Sequence, residues 1–321
     1  MRPHKPREDN VTANSFSSKS LLRCASLFGV LLASNILLQI EAWAATQLFD
    51  TDGQASTTDC SGFGSAFTTI QTAVNAASSG DTIYICPGVY NEQIRVTKSG
   101  LTIRGSGAGL TVLRPTAVAQ NTTSIISQTS VAPILLVDGV NNVTIANMTV
   151  DGSAADSGAV LVPNCLSLPF YIGIFYRASS GAIDAAQVTG ITSGKACADA
   201  IRVESGNVAI TRNLVDHYGR AGIGCAGANG NCSITGNTVQ GLGKVNNQTQ
   251  VGIQVRAAAG AVISGNVITD NFLIGAHGVP ASSVGITLFN AQPSTNPHLV
   301  TENVFVNNQV NIQRQSTAAA L

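Results

Sequence analysis

The sequence predicts an all-β solenoid of short parallel strands, closed at its N-terminal end by one short helix. Two recurring phrases and the composition predict it. The first phrase reads Thr144-Ile145-Ala146-Asn147, Ile210-Thr211-Arg212-Asn213, Ile234-Thr235-Gly236-Asn237, Ile263-Ser264-Gly265-Asn266 and, more loosely, Val300-Thr301-Glu302-Asn303. The second opens apolar runs at Gly173-Ile174, Ala200-Ile201, Gly222-Ile223, Gly252-Ile253 and Gly285-Ile286. Successive Ile positions in it lie 27, 22, 30 and 33 residues apart. Such a repeat cannot bury its apolar face alone and does so by stacking on its neighbours. Only 11% of residues are charged, while 32 are Gly and 44% are hydrophobic, as suits short strands joined by turns.

Each rung then has at least two strands, one opening with Gly-Ile and one closing on Asn. Stacked strands lie about 4.8 Å apart. An inward Asn at the same bend of every rung can therefore bond to the Asn above and below it. A ladder through Asn147, Asn213, Asn237, Asn266 and Asn303 is expected. Ahead of the rungs, Phe67, Ile70, Val74 and Ala77 share one helical face. A short amphipathic helix there would cap the open end of the core. It is followed by strands over Thr82–Cys86, Tyr90–Val96 and Leu101–Gly105, with a turn at Pro87-Gly88.

Residues 1–44 read as an export signal cleaved after Ala44, with an uncleaved membrane anchor as the less favoured alternative. Basic Arg2, Lys5, Arg7, Lys19 and Arg23 precede an interrupted apolar stretch from Cys24 to Ile40 and the small-x-small site Ala42-Trp43-Ala44. The β-helix domain is placed at 45–314, with a C-terminal tail at 315–321. Losing five of 17 basic and three of 17 acidic residues leaves 12 and 14, a net charge of −2. No field of that size argues for nucleic acid or a membrane surface. Six cysteines remain, an even number that suits disulfides in an exported chain. Cys225–Cys232 is the most local pair; Cys165–Cys197 and Cys60–Cys86 follow by proximity. The protein is expected in the periplasm or outside the cell.

The run from Phe67 to Leu113, FTTIQTAVNAASSGDTIYICPGVYNEQIRVTKSGLTIRGSGAGLTVL, resembles the opening of the pectate-lyase-like superfamily. It is most similar to the start of pectin methylesterases, with Gly-Asp-x-Ile and then Pro-Gly-x-Tyr-x-Glu. This resemblance implies a single-stranded right-handed parallel β-helix. It does not extend to methylesterase activity: Gln-Ala-Val-Ala, Gln-Asp-Thr-Leu, Asp-Phe-Ile-Phe-Gly and Arg-Pro-Trp are all absent, and the only Trp is Trp43. Glu92 matches a structural part of that family. Lateral polysaccharide binding, and lyase, hydrolase or epimerase chemistry, are what the superfamily implies.

Strand alternation locates a face for such a ligand. In the Gly-Ile strands the outward columns read Phe175, Arg202, Gly224, Gln254 and Thr287, then Arg177, Glu204, Ala226, Arg256 and Phe289. Guanidinium groups bind carboxylates in bidentate fashion, so Arg177, Arg202 and Arg256, with Glu204 and Asp199, are expected to bind an acidic polysaccharide. The adjoining connections carry Asp151, Asp156, Lys195, Lys244, Asp270, His277 and the run Asp216-His217-Tyr218-Gly219-Arg220. That last run loosely resembles a loop of alginate epimerases. Removing the C5 proton of a uronate needs a base beside a cation, which nominates His217, Tyr218, Arg220 and Arg202 as catalytic. No Asp-Asp pair supports a hydrolase. No cofactor is expected; calcium would have only Asp199 and Glu204 to hold it. Two functions remain, a uronate lyase or epimerase and a non-catalytic glycan-binding or envelope protein.

Overall fold

The computed structural model describes residues 46–49, 60, 67–155, 169–192, 197–246, 248–274, 282–289 and 298–315. The expected export signal, Cys165, Asp156, Lys195 and His277 lie outside the described residues. Three parallel sheets of nine, eight and nine strands run the length of the coil, and each rung gives one strand to each. The fold is the parallel β-helix that the repeats predict. Its last strand, Val310–Gln315, ends one residue beyond the expected boundary.

The phrase isoleucines stack in register. In the first sheet Ile83, Ile103, Ile145, Ile183, Ile210, Ile234 and Ile263 form one buried column. In the third, Ile174, Ile201, Ile223, Ile253 and Ile286 form another. The glycine that precedes four of these, all but Ile201, is enforced by contact. A Cβ on Gly222 would lie 2.6 Å from Val239 Cγ1, and one on Gly252 would lie 2.6 Å from the Gly285 carbonyl.

The Asn ladder sits at the bend between the first and second sheets. Asn237 Oδ1 accepts from the backbone and side-chain amides of Asn213, both at 2.9 Å. Asn266 Oδ1 does the same for Asn237, and Asn303 Oδ1 for Asn266. Each Nδ2 also donates to the carbonyl of an Ile one rung back. The ladder ends where Asn213 Oδ1 accepts from Ala186 N. Asn147 does not join it. Register pairs Ile145 with Ile183 and Ile183 with Ile210, which moves the first phrase by one residue. Met148, fully buried, therefore takes the ladder position, and Asn147 takes the left-handed bend (φ 54°) that Arg212 and Gly236 occupy later.

The capping helix is Ile70–Ala76. Thr69 caps it by accepting from Thr72 N, and Glu92 accepts from Ile70 N and Gln71 N. Glu92 is thus structural, as the resemblance implied. Lys98 closes the other end on the Asn75 and Ala77 carbonyls. Ile70, Ala73, Val74 and Ala77 are buried against the coil core. The strand expected over 90–96 is two strands, Gly88–Tyr90 and Ile94–Val96, because the coil turns from the second sheet to the third between them. Cys60–Cys86 and Cys225–Cys232 are disulfides. Cys197 is also disulfide-bonded. Among the described residues no helix is long and apolar enough to cross a membrane.

Two stability measurements follow from this geometry. Asn237→Ala leaves both amides of Asn213 without their acceptor inside the coil, and should cost about 2–4 kcal/mol in chemical denaturation. Thr235→Ala, at the end of the strand just before that bend, should change stability by less than about 0.5 kcal/mol. The second concerns Asp151. Burial pushes its pKa up, but hydrogen bonds from Ser153 and Arg114 outweigh that and hold it below the ordinary value. Its stabilising contribution is therefore complete above the unfolded value and is lost as pH falls through the lowered folded one. Asp151→Asn should melt with a shallower loss of Tm than the native chain between about pH 4 and pH 2.

Candidate functional site

The outer face of the third sheet is where the charges gather. Backbone pairing places Phe175, Arg202, Gly224, Gln254 and Thr287 in one column. Arg177, Glu204, Ala226 and Arg256 form the next. The face is not the open groove that alternation alone suggests. Arg202, Gln254 and Thr287 are at most 2% exposed and Glu204 is fully buried. Part of the cover is a hairpin: Thr122–Thr123 pairs antiparallel with the strand Ser130–Asp138 and brings the turn between them across the face. Ser124 Oγ donates to Glu204 Oε1 at 2.8 Å, and Ile125 N donates to Oε2 at 2.7 Å. An apolar cluster of Val131, Leu136, Phe170, Ile172, Phe175 and Cys197 packs outside the same sheet.

Inside this cover the arginines have unequal partners. Arg202 Nε pairs with Glu204 Oε1 at 3.0 Å, while its Nη1 has only Asp199 Oδ2, at 3.8 Å. Arg220 Nη2 donates to Gln254 Oε1 at 2.8 Å, and its Nη1 is 3.9 Å from Asp199 Oδ2. The Phe170 ring lies against both, 5.0 Å from Arg202 Cζ and 5.4 Å from Arg220 Cζ, within cation–π range. Arg177 belongs to the neighbouring rung and is taken up by Asp138 and the Thr123 carbonyl. Among the described residues the Arg256 guanidinium has no hydrogen-bonded or ion-paired partner. Burial, with Arg202 and Arg220 adding repulsion, pushes its pKa down to about 9. Arg220 is lowered as well, chiefly by burial.

The nominated loop sends its side chains three ways. Tyr218 is not on the outer face. It is fully buried in the coil core, where its hydroxyl donates to Asn271 Oδ1 at 2.7 Å, and burial raises its pKa well above the ordinary value. A phenol so placed cannot reach a ligand outside the coil. Arg220 turns outward into the arginine cluster. His217 stays in solvent, 69% exposed, and its Nδ1 lies 2.7 Å from Asp216 Oδ1. Asp216 also accepts from Gln187 and Thr189. Asp216 ends a strand of the second sheet, so this pair stands at a different corner of the coil from the Arg202 column. Lys244 lies over the Phe272 ring, and Asp270 is held by Gln240 and Asn307.

Gln254, Gly224 and Thr287 were visible to the alternation rule, since they share the Arg202 column. Ser124 and Phe170 carried no periodic mark. They reach the face from connections whose length does not repeat.

A sequence profile described as periplasmic copper-binding protein (NosD) matches residues 74–320. The chain belongs to the NosD family. It is an exported protein, as its disulfides also indicate. No protein of curated function matches this NosD-family chain. Solved structures similar to it include pectin methylesterase from Yersinia enterocolitica, at 12% identity and TM-score 0.42 over 73% of this chain and 94% of that one. Pectin methylesterase from carrot matches at 11% identity and TM-score 0.46 over 87% and 85%. An alginate lyase from Paenibacillus sp. str. FPU-7 matches at 12% identity and TM-score 0.36 over 75% and 96%.

The family description raises copper, which thiolate, thioether and imidazole donors hold. Among the described residues no group of three or more His, Cys, Asp and Glu converges. The five described cysteines are all in disulfides. Met148 is in the core. His217 follows a second-sheet strand, whereas His298 begins a first-sheet strand. The described donors do not fit a copper centre. Asp199 and Glu204, the pair considered for calcium, both face Arg202 and would present a divalent cation with that guanidinium.

Substitutions separate these roles. Glu204→Ala strands the buried Arg202 and should cost about 3–5 kcal/mol in chemical denaturation. Tyr218→Phe removes one buried hydrogen bond and should cost about 1–2 kcal/mol. His217→Ala, at an exposed position, should fall within about 0.5 kcal/mol of the native chain.

Proposed function

We propose that this exported β-helix binds an acidic carbohydrate on the outer face of its third sheet and does so without chemistry. One observation carries the reading: three guanidinium groups, Arg202, Arg220 and Arg256, gather around only two carboxylates, Asp199 and Glu204. A face that holds an excess cation in a partly dry setting favours an anion that can take bidentate hydrogen bonds. Gln254, Thr287 and the Phe170 ring, in the same cluster, are the polar and aromatic partners suited to sugar. The side chains that could move a proton support binding over turnover. Tyr218 is in the core, and His217 stands at another corner.

A second reading, a uronate lyase or epimerase, rests on Asp216 and His217. Asp216 orients the ring through Nδ1, as a carboxylate does for a histidine base. Screening the purified protein against pectate, alginate and glycosaminoglycans separates the two. The expected result is saturable, salt-sensitive binding to at least one uronate polymer, with no rise in ultraviolet absorbance from unsaturated product and no change in uronate configuration. Turnover that His217→Ala reduces by about a hundredfold or more would establish the second reading instead. Absence of binding to every acidic polymer would remove both.

A further inference from the structure

The two ends of the coil are finished differently. At the N-terminal end the helix Ile70–Ala76 buries Ile70, Ala73 and Val74 against the core. At the other end His298–Thr301, Val304–Val306 and Val310–Gln315 are the last strands of the three sheets. Their outer edges pair with no strand among the described residues. The core shows the difference. Ile312 continues the buried isoleucine column of the third sheet, yet it is 43% exposed where its neighbour Ile286 is 0% exposed. Of the ten large apolar side chains exposed among the described residues, seven lie in the last two rungs, with Leu299, Val304, Val306 and Ile312 in the last. Unpaired strand edges are a template for another chain. Exposed apolar surface gathered in one place marks contact with another protein.

The opposite end of another copy does not fit there, because the capping helix covers the core at that end. Head-to-tail stacking, which leads to open fibres, is thereby blocked. The same end of a second copy remains. A two-fold axis across the coil end reverses the partner's strands, so every free edge meets one that runs the other way and can pair antiparallel. Three such axes exist, one through the last strand of each sheet, and charge chooses among them. Glu302, just after the last first-sheet strand, and Arg314, near the end of the last third-sheet strand, are both exposed. Neither side chain has an ion-paired partner among the described residues. Arg314 acts on His298, whose pKa is lowered by burial and then by that guanidinium. The two charges therefore stand at opposite ends of His298–Thr301, about 13 Å of strand apart, too far to pair within one chain. An axis through His298–Thr301 exchanges those ends and sets Glu302 beside the partner's Arg314. An axis through the last third-sheet strand brings Glu302 against the partner's Glu302, and one through the last second-sheet strand brings Arg314 against the partner's Arg314.

We propose that this end is a contact between two copies of the chain. They meet about a two-fold that crosses His298–Thr301, with their last strands paired antiparallel, Ile312 covered, and Glu302 bound to the partner's Arg314. Arg314 also makes the contact selective. Its backbone pairs with Leu288, a buried core position, so it ends a core column with a charge. An inward charge at an edge opposes indiscriminate pairing, and a surface that answers it with a carboxylate is accepted over one that does not. The last rung supplies 18 residues, 298–315. That is a little under the roughly 20–30 per side of a standard interface, as suits reversible association. The dimer stands apart from the carbohydrate reading and requires no ligand.

The test is sedimentation analysis of the purified full chain at rising concentration, in low and high salt. The variants are Glu302→Arg, Arg314→Glu, the two combined, Ile312→Lys and, as a control near the capped end, Leu110→Lys, at a position 57% exposed. All four positions are exposed, so the variants are expected to fold; circular dichroism and thermal melts check this. The native chain should form a reversible dimer that salt weakens. Glu302→Arg and Arg314→Glu should each weaken it by about tenfold or more, because symmetry makes each change place two like-charged pairs at the contact. The combined variant should recover most of the loss, since the opposite charges face each other again. Ile312→Lys should also weaken the dimer by about tenfold or more, and Leu110→Lys should leave it unchanged. If Ile312→Lys fails to fold, the charge variants still decide. A native chain that stays monomeric at every concentration overturns the proposal. So does a dimer that folded Ile312→Lys or both single charge variants leave at native strength. A combined variant that associates no more tightly than either single one overturns it as well.

Discussion

Everything outside the core depends on the register that the Asn ladder and the isoleucine columns share. In Asn213, Asn237 and Asn266 every amide hydrogen bond is spent on a neighbouring rung. A strand shifted by one residue would break those bonds in a buried bend and would also turn its Ile to the outside. Two independent penalties therefore oppose one displacement. Because the inner columns cannot slip, the outer columns cannot either. That is what lets residues 202, 224 and 254, far apart in sequence, act as one row.

This constraint also explains what was legible. The sequence contained the period, so it contained the column of Arg202, Gly224, Gln254 and Thr287. It contained the capping helix, because amphipathic spacing and the Glu92 contact are local. The first Asn phrase was misread by one residue, since Ile145 rather than Thr144 aligns with Ile210 and the ladder position holds Met148. A phrase match cannot detect this; only the pairing of backbones does. The roof was not legible at all. Ser124 bonds to Glu204 across 80 residues, and nothing in either segment's pattern announces the other. Tyr218 failed for a related reason. Its loop looks polar in sequence, but Asn271 supplies a buried acceptor inside the coil, so the phenol turns inward.

The buried charges add little to stability. Taking Arg202 and Glu204 out of water carries a desolvation penalty that their attraction only partly offsets. A pair of apolar residues would fill the same columns at less cost, as Phe175 does one rung earlier beside Ile172. The arrangement is less favourable still because Arg220 shares Asp199 with Arg202, and Arg256 adds positive charge without a carboxylate of its own among the described residues. Their lowered pKa values record that strain, with burial the larger cause. Surplus cation at positions where an apolar alternative is at hand supports the proposed anion-binding role of this face.

The same geometry separates binding from proton transfer. The strand ending at Asp216 and the strand beginning at Ala221 are joined by only four residues, His217 to Arg220. The second half of that link is tied down, Gly219 N to the Ile191 carbonyl and Arg220 N to the Ala198 carbonyl. Tyr218 in the middle is held by the core. The link cannot swing His217 toward the arginines without drawing Tyr218 out of the coil and breaking its bond to Asn271. Arg220 and His217 are therefore neighbours in sequence that serve opposite sides of a fixed anchor. A ligand bound among Arg202, Arg220 and Arg256 would meet guanidinium groups, two carboxylates and the Gln254 amide, and no histidine among the described residues. In the proposed reading this face would hold an anion and orient it, and His217, the residue that most resembles a base, is kept from it by a tyrosine in the core.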